Sequence, residues 1–178
     1  MRNIFFGSII SLFFFSCTSK TKKVEKVEED LYQCLMSSLT KAEEKKLDSI
    51  ITAYEKHLID KGIIASSDAR SYWGLYKNIA NTGRYNFSNE FDFANKVSFL
   101  NRKDSIQNQK LVDCHESIFA SEKYLNSNQY ALLKQIEATG KANSPVVVAK
   151  SMVKHLAVED FELKYNRLNT LMFIERLK

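Results

Sequence analysis

The chain has 178 residues, 44% of them apolar and 26% charged, the composition of a globular protein and not of a disordered one. One Pro and five Gly leave few breakers, so helices with short connections are expected in place of a strand-and-turn sandwich. The formal charge of +5 is interspersed with no run of five like charges, which leaves no nucleic-acid footprint.

Arg2 is followed by a nearly unbroken apolar run, Ile4 to Phe15, and then by Ser16 and Cys17. The run is too short to cross about 30 Å of hydrocarbon. A basic start, a short apolar stretch and a small residue make a secretory signal, and no A-x-A-like site closes it. The ending on a small residue and a cysteine resembles the bacterial lipoprotein class. Phe14 and Phe15 stand where Leu and a small residue are usual, so the resemblance is to a relaxed lipobox, and it covers residues 1–17 alone. It implies that residues 1–16 are removed as a signal peptide and that Cys17 is acylated. The protein would then be held at a membrane of the bacterial cell envelope, the outer membrane in preference to the inner. More than one acyl chain, at ~0.8 kcal/mol per buried CH₂, makes such an anchor stable.

Removal of 16 residues from 178 leaves 162, enough for one domain with a sizeable core. The expected organisation is a lipidated cysteine and tether over 17–23, then a single helical domain over 24–178. Val24, Val27, Leu31, Cys34 and Leu35 share a helical face, with Lys26 and Asp30 as an i,i+4 pair outside. Alternatively the polar segment continues without structure as far as Asp30. Thr40 and Glu43 make a capping box, and Leu47, Ile50, Ile51, Tyr54 and Leu58 form the stripe of a helix over about 41–61. Gly62, with Ile63 reaching back to Leu58, reads as its Schellman ending.

Ser67 is the expected cap of a second helix, faced by Ala69, Tyr72, Trp73, Tyr76 and Ile79 and stopped by Gly83. For residues 84–100 a loop followed by a helix is preferred to a small hairpin. Asp104 or Ser105 opens a long helix carrying Leu111, Cys114, His115, Ile118, Phe119 and Leu125 on one side. Ser127 caps another, through Tyr130, Leu132, Leu133 and Ile136, that ends at Gly140. Ser144-Pro145 starts a helix that is apolar around much of its circumference and so suits a central place. Either one helix of over thirty residues runs on to Met172, or two meet at a bend near Val158–Asp160. The expected fold class is all-α, a compact bundle of about six to eight helices.

Cys34 and Cys114 each lie on an apolar helical face, and export places both in an oxidising compartment. With Cys17 lipidated they are an even pair. A disulfide between them would close a loop of about 80 residues, on the order of 4 kcal/mol in the chain-entropy account; two buried free thiols are the alternative. His57, His115 and His155 have Tyr54, Val112 and Met152 three residues before them, so the Glu-x-x-His pattern of di-iron bundles is absent. Cys114 and His115 are adjacent, and their side chains diverge by about 100° on a helix. No metal and no cofactor are expected. His115 is expected to be a hydrogen-bonded residue at the edge of the core, and His57 (beside Asp60) and His155 (facing Glu159) to form surface pairs.

Eight aromatics fall between Tyr72 and Phe99. The bland reading makes them core; the other makes Trp73, Tyr76, Tyr85 and Phe87 a binding surface. No Gly-rich phosphate loop, G-x-S-x-G or H-E-x-x-H occurs, and no catalytic residue is expected. The expectation is therefore a non-enzymatic, lipid-anchored binding or adaptor protein for another envelope protein. The alternatives are a surface or periplasmic recognition protein, adhesin-like or immunity-like, and then an enzyme whose site the sequence does not display. An exposed apolar patch favours a protein partner, and a closed aromatic pocket a small ligand.

Overall fold

The computed structural model describes residues 26–85, 87, 90–101, 106–141 and 144–177. The signal peptide, Cys17, the tether, Val24, and Asp104 and Ser105 lie outside them. Among the described residues there is no strand, and seven helices of eleven residues or more carry the fold: α1 Val27–Ser37, α2 Lys41–Asp60, α3 Ala69–Thr82, α5 Ile106–Phe119, α7 Asn128–Ala138, α8 Pro145–His155 and α9 Lys164–Glu175. Single turns α4 (Phe93–Lys96) and α6 (Glu122–Leu125), and 3₁₀ turns at Ser98–Leu100 and Val158–Glu162, join them.

Local chemistry explains most boundaries. The α2 capping box forms in both directions: Thr40 Oγ1 accepts the Glu43 N–H at 3.3 Å and Glu43 Oε2 accepts the Thr40 N–H at 2.8 Å. At the other end Gly62 takes φ +68°, and the Ile63 N–H donates to the Leu58 carbonyl at 2.9 Å. Leu47, Tyr54 and Leu58 are wholly buried, each stabilising the fold by roughly 1.5–3 kcal/mol. The cap of α3 is Asp68, whose carboxylate accepts the Ser71 N–H at 2.8 Å, and not Ser67, one residue earlier. Ser67 gives its carbonyl to Arg167 instead.

The long helix expected beyond residue 105 stops at Phe119. Ser121 ends it by capping α6, its hydroxyl accepting the Tyr124 N–H at 3.2 Å, so Leu125 belongs to a separate turn. Within 84–100 the described residues before Phe93 carry no helix or strand, α4 follows, and Phe93 and Val97 are buried. Between α8 and α9 the chain bends: Leu156 is extended, and Asp160 caps the 3₁₀ turn by accepting the Ala157 N–H at 2.8 Å. The Asn166 amide then donates to the Asp160 carbonyl at 2.9 Å.

Lys26 and Asp30 do not pair with each other. Lys26 Nζ meets Asp160 at 2.5 Å and Lys123 Nζ meets Asp30 at 2.5 Å, because α1 packs between distant segments that supply closer partners. One hydrophobic core runs from Tyr32 to Leu177. Helix α3 is its spine, packing on α8, on the Val158–Glu162 turn and on α9; α7 rests on α8, and α1 joins α5 to α9. Helix α8 is central in this sense, yet only Ala149, Ser151 and Met152 are buried in it while its valines are half-buried.

Candidate functional site

The four aromatics expected as a surface do not share one. Tyr76 is 1% exposed and belongs to the core, its ring 5.1 Å from Phe173 and 5.7 Å from Phe161. It faces inward because α3 is contacted from several sides. Trp73 is half-buried beneath Lys77, whose ammonium lies 5.0 Å from the ring. Phe87 is half-buried in a groove beside Gly74, Leu75 and Asn78. Tyr85 is 38% exposed.

Cys34 and Cys114 are joined as a disulfide, with Cα atoms 5.8 Å apart across α1 and α5. His57 and His155 occupy other settings than expected, while His115 is half-buried. His57 is half-buried, its ring 5.5 Å from Phe91, and its Nε2 is buried without a partner among the described residues. His115 leans on Phe119 at 5.8 Å. His155 ends α8, so Glu159 is no longer one turn away, and the imidazole instead bonds Gln135 of α7 at 2.5 Å. Burial, and then Lys154, lower its pKa. Among the described residues no group of three His, Cys, Asp or Glu side chains converges to hold a metal ion.

A cleft of about 520 Å³ lies between α7 and α9, floored by α8 and by Tyr76 of α3. Its α9 wall is one helical face, Tyr165, Asn169, Met172 and Arg176, at i, i+4, i+7 and i+11. Its α7 wall is Gln129, Leu132 and Ile136, at i, i+3 and i+7. At the base the Tyr76 hydroxyl donates to Thr170 Oγ1 at 3.3 Å, and that hydroxyl donates to the Asn166 carbonyl at 2.7 Å. Burial pushes the phenols of Tyr76 and Tyr165 up. Both therefore keep their protons at neutral pH and serve as hydrogen-bonding groups, not as bases.

Gln129 is the anomaly of the cleft. It is 6% exposed, and its Oε1 has no hydrogen-bond partner among the described residues. Arg176, the one charged residue lining the cleft, is exposed and has no ion pair among them. Neither residue stands out from motif reasoning. A signal for Gln129 existed all the same: a polar side chain at helical spacing with Leu132 and Ile136 sits on a face that otherwise buries. A ladder of rings, His115, Phe119, Tyr124 and Tyr130, with 5.8, 4.9 and 5.6 Å between successive centroids, runs along α5 to α7. No family model, curated protein or solved structure matches this chain.

Proposed function

We propose that the protein is exported, anchored by acyl chains on Cys17 to a membrane of the bacterial envelope, and works there by binding another envelope protein as an adaptor. The observation that carries this reading is the Cys34–Cys114 disulfide. Such a bond persists in oxidising compartments, where the residue 1–17 signal would deliver the chain. It also uses two of the three cysteines, leaving Cys17 as the thiol to acylate. No described helix is long and apolar enough to cross a membrane. The cleft supports binding over proton-transfer chemistry, since its shifted groups are firmly protonated phenols.

Mass spectrometry of the N-terminus of protein taken from membranes tests the anchor. An acylated Cys17 is expected, and an unmodified terminus at Thr18 or beyond ends the reading. The cleft also favours a second reading, recognition of a molecule from outside the cell in an adhesin-like or immunity-like role. Reciprocal co-purification from membranes separates the two: a stoichiometric envelope partner is expected of an adaptor, and a ligand of external origin of a recognition protein.

A further inference from the structure

We propose that the cleft between α7 and α9 holds the apolar C-terminal end of a polypeptide, with the terminal carboxylate at Arg176 and a backbone N–H donated to Gln129 Oε1. The proposal deepens the binding role above and rests on it for the origin of the peptide; the site itself stands on the geometry. A volume of about 520 Å³ suits a ligand of a few residues, since small-ligand sites span roughly 300–1,000 Å³.

Three features choose the chemistry. Gln129 Oε1 is a buried acceptor without a donor, so a ligand that brings an N–H relieves a desolvation cost that a hydrocarbon leaves in place. Arg176 offers a planar fork of donors that matches a carboxylate, and nothing else in the lining is charged. Met152 and Met172 line the walls, and their unbranched side chains adapt to apolar residues of different shape. A peptide end combines carboxylate, N–H and apolar side chain within one short unit. A fatty acid lacks the N–H, and an inorganic anion lacks the apolar body.

The test uses the full chain in phospholipid nanodiscs, with empty nanodiscs as blank, and N-acetyl-Leu-Leu as the probe, read by titration calorimetry. Its C-terminal amide and its doubly N-methylated acid are each expected to bind about tenfold more weakly, each losing one polar interaction of the order of 1.4 kcal/mol. Arg176→Met should bring the acid down to the level of the amide, and Gln129→Met should erase the penalty of N-methylation, with circular dichroism melts verifying the fold. The three-ligand comparison on the native protein decides even if a variant unfolds. Equal affinity for acid and amide, no binding at all, or tighter binding of octanoate overturns the assignment. A partner that still co-purifies with Gln129→Met and Arg176→Met would leave the adaptor reading standing and remove this cleft from it.

Discussion

Glu55 receives two donors at a single oxygen: the Tyr72 hydroxyl at 2.5 Å and Arg167 Nη2 at 2.8 Å. Arg167 also donates to the Ser67 carbonyl and lies over the Tyr72 ring, 5.3 Å from its centroid. The carboxylate side chain is 12% exposed and the guanidinium 29%, so the pair sits between the surface and buried limits. Arg167→Met leaves a half-paired, mostly buried carboxylate and should cost about 1–3 kcal/mol in urea unfolding. Glu55→Gln, which still accepts from Tyr72, should cost less; the reverse order would show that the ion pair is not what matters. Glu28 gives a pH signature. Burial raises its pKa, assisted by Asp160 and opposed by its own backbone N–H, Lys26 and Lys123. The folded state therefore holds the proton where the unfolded state has lost it. Stability from this group is fully present below the unfolded value near 4.5 and declines as pH rises through the raised folded value. Glu28→Gln should flatten that decline and raise the melting temperature at pH 7; an unchanged pH profile would refute it.

At the scale of elements, α2 was readable because its cap, stripe and stop are all local chemistry. Helix α5 was readable only in part. Its apolar residues stand at helical spacing, but none of its residues is buried, and Ile106 is 80% exposed. Its end at Phe119 follows from Ser121 acting as a cap, a signal present in the sequence but outweighed by the apolar stripe running on to Leu125. The bend between α8 and α9 could not be decided locally, since Asp160 is fixed in part by Lys26, 134 residues away. With so little burial, α5 depends on its crosslink to α1 at Cys34–Cys114. Replacing both cysteines by Ala should lower stability by about 2–4 kcal/mol. The loss should be uneven, with amide exchange in Ile106–Phe119 accelerating first while α2 and α3 stay protected. Equal acceleration in all helices would mean that the disulfide secures the whole bundle and not this helix.

Across the whole molecule the decisive contacts are between segments far apart in the chain, which is why the cleft was not legible beforehand. Its two walls, on α7 and α9, are each amphipathic in a readable way, but nothing local says that they face each other over Tyr76. Helix α3 makes that juxtaposition, because α8 with α7 packs on one part of it and α9 on another. A spine shared by both sets of helices couples their unfolding. The sole tryptophan, Trp73, lies on this helix, so its fluorescence reports the spine while far-ultraviolet circular dichroism reports all the helices together. The two transitions in urea should coincide, as in a two-state system. Ile79, wholly buried on α3, is the place to test the coupling. Ile79→Ala should cost about 2–5 kcal/mol and move both transitions equally with the urea dependence unchanged. Ile106→Ala, on the exposed helix, should stay within about 0.5 kcal/mol of the parent. If Ile79→Ala separates the fluorescence transition from the circular dichroism transition, the helices on either side of α3 unfold independently. The cleft between α7 and α9 would then be a gap between loosely joined parts and not a site held in shape by one core.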